Sequence, residues 1–321
     1  MAVRESSGVL ESIQRVVERS RYVHLDQGAI DSLAPSLARR FSVPIWDRSF
    51  HRLTGDEGDC NLILVLDALN FSFWGEPRWI VEAPNGRLNG YVALAYCLAR
   101  AMDEGVPLTS ACHLATMSQA EVARIFRGEA EIPMLARRTE NLNEVGTVLL
   151  DRYEGAFARA IEAAGGSAVR LVRSVVSEFP SFDDVADYRG GEVRFYKRAQ
   201  LLASDLHGAF GDEKWGAFDD LDRLTAFADY KLPQILRAWG ILVYLPSLEQ
   251  KIDHRFLLPP NCWEEIEIRA HTILAVERLR DALARYGVSA RAFEIDWWLW
   301  HESQRLGSGD RPYHLTRTVN Y

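Results

Sequence analysis

Apolar residues recur every three or four positions along most of this chain, a spacing that places them on one face of an α-helix. Near the N-terminus, the residues on such a face are Val9, Leu10, Ile13, Val16 and Val17. In SQAEVARIFRG, residues 118–128, Ser118 and Glu121 stand at the spacing of a capping box, and Gly128 is a typical helix stop. Both segments are therefore predicted to be helices.

The same periodicity predicts helices along much of the rest of the chain. They are expected at 89–104, 142–163, 168–179, 197–209, 233–239, 264–286 and 290–304. Strand signals are few: RWIVEAPNGRLNGY carries a Pro-Asn-Gly turn, residues 84–86, that suits one hairpin. The run LILVL, residues 62–66, fits either a short buried strand or the middle of a helix. The sequence predicts a mainly α fold with at most a small β element.

The chain is predicted to form one folded unit over residues 1–321. No low-complexity tract, internal repeat or linker interrupts it. With 48% hydrophobic residues it can bury a sizeable core. We expect either one large domain or two packed helical subdomains that share one cleft. The loops at 51–61, 180–193 and 211–223 are the expected lips of that cleft.

Charge and targeting signals narrow the class of protein. The formal net charge is −8, whereas nucleic-acid binding rests on a basic surface that neutralises many phosphates. Two or three local cations can still hold a single phosphate. The start, MAVRESSGVL, lacks the apolar core of a secretory signal, and the runs LILVL and WWLW are too short to span a bilayer. We expect a cytoplasmic protein that binds neither nucleic acid nor membrane.

Several kinds of catalytic site have little support in the sequence. The cysteines, which make no C-x-x-C pair and are expected to be reduced and mostly buried, are Cys60, Cys97, Cys112 and Cys262. The eight histidines form no H-E-x-x-H, and neither a glycine-rich phosphate loop nor a G-x-S-x-G elbow is present. A preformed metal site therefore has little support. Carboxylates, lysines and aromatics remain, a set that suits chemistry at a sugar, where an oxocarbenium-like transition state needs a nearby anion.

One candidate for a binding pocket is VLDALNFSFWGEP, residues 65–77. It places Asp67 and Asn70 beside Phe71, Phe73 and Trp74 directly behind an apolar run. A buried carboxylate or carboxamide destabilises a fold unless it finds partners, and a surface loop has no need of three aromatics. The combination indicates a pocket for something flat with polar edges. Alternation along the chain predicts that not all three aromatics point inward.

Two further segments carry candidate charged groups. In LTAFADYKLPQILRAWG, residues 224–240, Asp229 stands just before a predicted helix, where free backbone N–H groups and the helix dipole favour a carboxylate. It is either a catalytic carboxylate or only a helix cap. In RFYKRAQLLASDL, residues 194–206, Lys197 and Arg198 open a helix. Either one of them points into a cleft, or both belong to a solvated basic turn.

The C-terminal segment RPYHLTRTVNY is unusually rich in rings and charge. Its notable residues are Tyr313, His314, Arg317 and Tyr321. Termini are disordered unless docked. A docked tail would bring Arg317 to a phosphate, and the alternative is a tail that is merely tied down.

Five of these stretches closely resemble the queuosine salvage protein family of queuosine 5'-phosphate N-glycosylases. The matching motifs are DALNFSFW, GYVALAYCLARAMDEGVPLTSA, FYKRAQ, LTAFADYKLPQ and HLTRTVNY. The resemblance runs from about residue 9 to the last residue. It implies a hydrolase that releases queuine from queuosine 5'-phosphate and leaves ribose 5-phosphate, without a metal or redox cofactor. It also implies an α-rich fold related to the helix-hairpin-helix DNA glycosylases.

The resemblance also implies roles for particular residues. Asp229, in FADYKLPQ, matches the catalytic candidate of the family. Lys231 stands where members often have arginine, and either cation suits a phosphate. Lys197, in FYKRAQ, is expected at the phosphate or the ribose. His51, in SFHRL, matches a family position, although a purely structural histidine remains the alternative.

The substrate named by the resemblance suggests how these residues would act. Queuine is a 7-deazaguanine and has no N7 to accept a proton, so more of the barrier must be met at the sugar. Asp229 would stabilise the oxocarbenium ion and either orient a water or attack C1'. Asp67 and Asn70 would contact the polar edge of the base, and Phe71, Phe73 and Trp74 would stack on it. Two rival functions are a non-catalytic queuine-binding or delivery protein and a glycosylase that acts on a polymer.

Overall fold

A computed structural model describes residues 6–84, 86–307 and 309–321 of the chain. In chain order the helices are α1 (Val9–Arg19), α2 (Gln27–Arg40), α3 (Gly58–Ala68), α4 (Gly90–Asp103), α5 (Ala111–Leu114), α6 (Gln119–Ile125), α7 (Leu135–Tyr153), α8 (Ala158–Ala163), α9 (Ala168–Glu178), α10 (Lys197–Phe210), α11 (Lys231–Ala238), α12 (Pro246–Asp253), α13 (Trp263–Ala284) and α14 (Ala292–Ser303). Short 3-10 helices lie at Pro180–Phe182, Lys214–Gly216 and Leu221–Arg223. The prediction of a mainly α fold is confirmed.

The β structure consists of small antiparallel pairs. The strands are β1 (Val23–Leu25), β2 (Val81–Ala83), β3 (Gly86–Leu88), β4 (Val185–Tyr188), β5 (Gly191–Arg194) and β6 (Leu242–Tyr244). The pairs are β1 with β6, β2 with β3, and β4 with β5. The hairpin predicted in RWIVEAPNGRLNGY is therefore confirmed as β2 and β3, while Asn85 of its turn lies outside the described residues.

Most of the predicted helices are present to within about one turn of their expected ends. The capping box of Ser118 and Glu121 is formed at the start of α6. The prediction of one continuous helix over 142–163 is wrong, because α7 ends at Tyr153 and α8 begins at Ala158. The two residues after Tyr153, Glu154 and Gly155, have φ values of 50° and 85°. This left-handed backbone ends the helix before α8 begins.

Some other helices differ from the predicted pattern. The run LILVL forms the middle of α3, a helix in which every residue from Asp59 to Ala68 is buried. A helix that is apolar on all sides has no amphipathic period, which is why its sequence also suited a strand. Helices α2, α5 and α12 were not predicted. Pro35 lies inside α2, and prolines discourage a helix prediction even where the structure accommodates them.

The buried apolar residues form separate clusters on the two sides of a cleft. One cluster is built mainly from α3, α4, α7 and α10. A second is built mainly from α2, α11, α13 and α14. A smaller third cluster joins α1 and the β4–β5 hairpin to α13. Helix α10 contributes to the first cluster, whereas α14 contributes Phe293 to the first and Ile295 and Leu299 to the second.

The described part of the chain has no membrane-spanning helix, and its four cysteines differ in exposure. No helix there is both long enough and apolar enough to cross a bilayer. Cys60 and Cys97 are buried, Cys262 is half-buried, and Cys112 is exposed. Burial raises the pKa of Cys97 to about 11, so its thiol stays protonated and unreactive at neutral pH.

Candidate active site

A cleft with two lobes lies between α10 and α14. The larger lobe has a cavity volume of about 490 Å³ and the smaller lobe about 110 Å³. The residues that line both lobes are Asn70, Asn89, Tyr91, Val92, Lys197, Asp229, Trp300 and Gln304. Because these residues form a junction, the two lobes are parts of one cleft, which suits a ligand with two different ends.

The rim of this cleft differs from the predicted lips. It is formed by residues 44–47, by residues 87–92 and by the end of α14. Among the described residues that line the two lobes, none belongs to 51–61, 180–193 or 211–223. The prediction that these three segments form the lips of the cleft is therefore wrong. Much of 51–61 and 180–193 is regular structure, namely the start of α3 and the β4–β5 hairpin.

Asp229 lies half-buried at the junction of the lobes, immediately before α11. Its Oδ1 accepts hydrogen bonds from the backbone N–H groups of Lys231 at 2.7 Å and Leu232 at 2.9 Å. The predicted capping geometry is confirmed, with the helix starting two residues earlier than expected. Loss of solvent raises the pKa of Asp229, while Lys197 and the two backbone groups act in the opposite direction. The carboxylate is held in one orientation at the cleft wall.

Lys197 faces Asp229 from the first residue of α10. Its side chain is 6% exposed, and its Nζ donates to the Asn70 carbonyl at 3.3 Å. Burial lowers the pKa of Lys197, and the nearby carboxylates of Asp229 and Asp67 counter that effect. Of the two basic residues that open α10, Lys197 is the one that lines the cleft.

Arg198 is not solvated, contrary to one of the two interpretations of the segment. Its guanidinium is buried and donates to the carbonyls of Asp67, Ala68 and Ser181. Burial lowers the pKa of Arg198 to about 10, which leaves it charged at neutral pH. It therefore supports the end of α3 from behind the cleft.

A buried ion pair positions both Asp229 and Lys197. Arg269, on α13, is 0% exposed and binds both carboxylate oxygens of Asp184, with Nη1 to Oδ1 at 2.8 Å. The Nε of Arg269 also donates to the carbonyl of Ala228 at 3.1 Å. Asp184 in turn accepts the backbone N–H of Lys197 at 3.2 Å. One pair of charges thus connects the residue before Asp229 to the start of α10.

The aromatic segment after α3 lines the smaller lobe. Asn70, Phe71, Phe73 and Trp74 all lie in its wall. Ser72, at φ 40°, interrupts the alternation. That not all three aromatics point inward stays a prediction, since Phe71 is 1% exposed and lies against the guanidinium groups of Arg138 and Arg198, and Phe73 packs in the first core cluster. The buried guanidinium of Arg138 donates to the carbonyls of Leu69, Phe71 and Ser72. Burial lowers the pKa of Arg138 to about 9.

Asp67 lies behind the cleft wall. It is 0% exposed and is not among the residues that line either lobe. Neither of its carboxyl oxygens has a hydrogen-bond partner of good geometry among the described residues, although Asn70 and Asp205 stand next to it. Burial and the neighbouring Asp205 raise the pKa of Asp67 well above its usual range. Asp67 is thus a buried neighbour of the cleft residue Asp205.

His51 also stands one layer back from the cleft. Its ring packs on Trp46 with 4.2 Å between centroids, and its Nε2 lies 3.3 Å from the Tyr91 hydroxyl. Trp46 and Tyr91 line the larger lobe. Burial lowers the pKa of His51, so the neutral ring is favoured. The structure therefore connects His51 to the cleft through two aromatic rings.

The smaller lobe is basic. Arg78 and Lys231 line it together with Lys197, Tyr313 and the last residue of the chain. The Lys231 ammonium lies 5.4 Å above the centre of the Tyr313 ring. The tail is docked through hydrogen bonds from Ser72 to the carbonyls of Thr318 and Tyr321.

Arg317 is exposed and does not line the lobe. Its guanidinium lies 5.2 Å from the centre of the Trp74 ring, which does line it. The tail therefore brings Tyr313 to the smaller lobe, and places Arg317 against a ring of the wall.

The larger lobe contains functional candidates that the sequence analysis missed. Those with carboxyl or indole groups are Trp46, Asp47, Asp205, Asp296, Trp297 and Trp300. Lys197 and Asp205 stand eight residues apart on one side of α10, a spacing visible in the sequence. The run DWWLW in α14 is also visible in the sequence, and it supplies Asp296, Trp297 and Trp300 to this lobe. The described residues contain no cluster of His, Cys, Asp or Glu that would hold a metal ion.

The fold and cleft define an α-helical protein that can bind a small ligand whose anionic end lies in a basic lobe beside a fixed carboxylate. The family model described as "Queuosine salvage protein" matches residues 50–321. The chain belongs to the queuosine salvage protein family.

Curated relatives from distant organisms support this membership. A protein of Sphaerobacter thermophilus named queuosine 5'-phosphate N-glycosylase/hydrolase is 52% identical over 98% of both chains. A mouse protein of the same name is 35% identical over 97% of this chain and 98% of its own. One from Schizosaccharomyces pombe is 32% identical over 84% of this chain and 81% of its own.

Proposed function

We propose that this protein hydrolyses the N-glycosidic bond of queuosine 5'-phosphate and releases queuine and ribose 5-phosphate. Relatives that match nearly the whole chain carry this activity in their names. The observation that carries the proposal is the position of Asp229 at the junction of the lobes, oriented by two backbone N–H groups. A sugar bound there would place its anomeric carbon between a phosphate in one lobe and a base in the other.

The charges and sizes of the lobes support this arrangement. The phosphate and ribose belong in the smaller lobe, where Lys231, Arg78 and Lys197 supply cations. Charge-assisted hydrogen bonds to phosphate oxygens are strong and short. The aromatic segment, which had been expected to stack on the base, would then flank the ribose. The base belongs in the larger lobe, whose volume of about 490 Å³ is in the usual range for small-molecule pockets.

The indoles of the larger lobe suit a flat base. Trp46, Trp297 and Trp300 line it, and an aromatic ring stacked on a base contributes roughly 1–3 kcal/mol. His51 would act by supporting Trp46 and Tyr91 and not by touching the ligand. Asp67 would act through Asp205.

In the proposed reaction Asp229 stabilises positive charge as the bond from C1' to the base lengthens. A fixed anion at developing charge is among the largest contributions that an enzyme makes. Both a water oriented by the carboxylate and a covalent intermediate at C1' are compatible with this role. We further propose that the protein acts as one unit of the helix-hairpin-helix glycosylase type on free nucleotide in the cytoplasm. Its net charge of −8 favours a free nucleotide over a polymeric nucleic acid.

The test is incubation of the purified protein with queuosine 5'-phosphate, followed by detection of free queuine by liquid chromatography and mass spectrometry. Queuine release in many turnovers supports the proposal. Binding of queuine without any release from the nucleotide would instead identify a binding or delivery protein. Release from intact tRNA or DNA at a comparable rate would identify a glycosylase that acts on polymers.

A further inference from the structure

Acidic groups outnumber the ammonium groups of Lys197 and Lys231 near the centre of the cleft. Lys197 interacts electrostatically with Asp67, Asp229 and Asp296, and Asp205 is also within its reach. Asp67, Asp205 and Asp296 are each at most 4% exposed. Close carboxylates in a poorly solvated site cannot all be ionised, because each disfavours the charge of the next. Some of these groups must therefore hold protons at neutral pH.

The hydrogen bonds indicate which group is ionised. Asp229 accepts two backbone N–H groups at the start of α11 and is further stabilised by Lys197 and Lys231. Asp296, on α14, accepts one backbone N–H, that of Phe227 at 2.7 Å. Burial and the nearby charge of Asp229 raise the pKa of Asp296 well above its usual range. Asp229 is thus the carboxylate of this pair, and Asp296 is the neutral acid.

We propose that Asp296 is the general acid of the reaction and donates a proton to a ring nitrogen of the base as the glycosidic bond breaks. This inference rests on the proposed function. Queuine has no N7 that could accept a proton. An acid that prevents the base from leaving as an anion must therefore protonate N3 or N9. One oxygen of Asp296 is occupied by the Phe227 N–H, and a protonated carboxyl can donate through the other. Asp296 lines the larger lobe, as does Asp229.

Asp205 is placed less well for this role. It stands eight residues beyond Lys197 on α10, which is about 12 Å along the helix axis at 1.5 Å per residue. The indole of Trp46 donates to its carboxyl, and Asp67 stands beside it. Burial raises its pKa to about 7. Its position suits contact with the far edge of the base.

The proposed step balances in atoms and charge. The bond from C1' to N9 breaks, and its electron pair stays with the base, which takes the proton of the Asp296 carboxyl. The oxocarbenium ion that remains is stabilised by the Asp229 carboxylate. Water then supplies a hydroxyl group to C1', and its other proton returns to Asp296. The products are queuine, whose ring system is neutral, and ribose 5-phosphate.

The test compares two leaving groups in wild type and Asp296→Asn. The substrates are queuosine 5'-phosphate and 4-nitrophenyl β-D-ribofuranoside 5-phosphate, whose nitrophenolate leaves without a proton. Asparagine can still accept the Phe227 N–H but cannot transfer a proton. Since general acids contribute roughly 100- to 10,000-fold, we expect kcat on queuosine 5'-phosphate to fall by at least about 100-fold. The loss on the nitrophenyl substrate should be at least about tenfold smaller.

Glu302→Gln is the matched control, because Glu302 lies on the same helix and is not among the residues that line the lobes. It should leave the ratio of the two rates unchanged. Equal losses on both substrates in Asp296→Asn, or no loss on queuosine 5'-phosphate, would overturn the proposal. Failure of the wild type to release queuine would instead overturn the proposed function.

A measurement on the wild type keeps the proposal testable if the variant does not fold. The acid is lost as pH rises through the raised pKa of Asp296, so kcat on queuosine 5'-phosphate should fall at high pH. The nitrophenyl substrate should not share this loss. Deprotonation of Lys197 would affect both substrates alike. Ionisation of Asp205, which contacts the far edge of the base, is absent from Asp205→Asn, and this variant should keep the difference between the two substrates. The same alkaline decrease for both, or no turnover of the nitrophenyl substrate at all, would count against Asp296.

Discussion

The replacement Arg269→Met tests whether the buried ion pair supports the cleft as the structure indicates. Arg269 and Asp184 have side chains that are 0% and 3% exposed, so the variant leaves a buried carboxylate without its guanidinium. Removing one partner of such a pair destabilises proteins by roughly 3–5 kcal/mol. This is a large part of the roughly 5–15 kcal/mol that holds a typical domain folded. The variant should therefore remain folded only marginally and unfold at much lower urea concentration.

Urea unfolding followed by far-ultraviolet circular dichroism measures this loss. The matched control is Arg194→Met, which breaks an ion pair with Glu192 whose partners are 42% and 56% exposed. Exposed pairs contribute about 0–1 kcal/mol, so the control should unfold close to the wild type. A loss below about 1 kcal/mol for Arg269→Met, equal to the control, would refute the reasoning. Base release should also slow in folded Arg269→Met, because the Ala228 carbonyl beside Asp229 loses its donor.

Three further substitutions test the roles assigned to the cleft. Asp229→Asn should still bind queuosine 5'-phosphate in calorimetry but lose at least about 100-fold in kcat; turnover near the wild-type rate would refute the assignment. Lys231→Met should lower kcat/KM for queuosine 5'-phosphate about tenfold or more and leave kcat/KM for queuosine unchanged. Equal effects on both substrates would show that Lys231 does not bind the phosphate. Gly208→Ala would put a Cβ 2.6 Å from Cγ of Trp46, so the indole must shift. We expect KM to rise with a cost of roughly 1–3 kcal/mol and kcat to change little.

Local sequence patterns predicted most of the helices and the placement of Asp229 before a helix. The capping box at Ser118 and the placement of Asp229 before a helix depend on residues within a few positions of each other. Such contacts involve only residues that are neighbours in the chain, so the sequence pattern alone predicts them. The resemblance to the queuosine salvage family added the candidate chemistry, because its motifs are long and unusual.

Local pattern failed where burial or backbone conformation decided the outcome. Helix α3 is buried on all sides, so its sequence has no amphipathic period. The left-handed backbone at Ser72 interrupts the alternation of the aromatic segment, and the sequence pattern does not show this. Arg198 looked like a solvated residue because most arginines are exposed, yet it binds backbone carbonyls inside the protein.

The division of the cleft was decided by the tertiary structure alone. Asp229 and Asp296 are far apart in the chain, and nothing in their spacing indicates that they share a lobe. Their protonation depends on burial and on the nearby ammonium of Lys197, and these exist only after α10, α11 and α14 have packed together. The sequence by itself determined which residue types were available and which helices carry them. Packing decided which carboxyl group is an anion and which an acid, because the free energy of a charge depends on the groups and solvent around it.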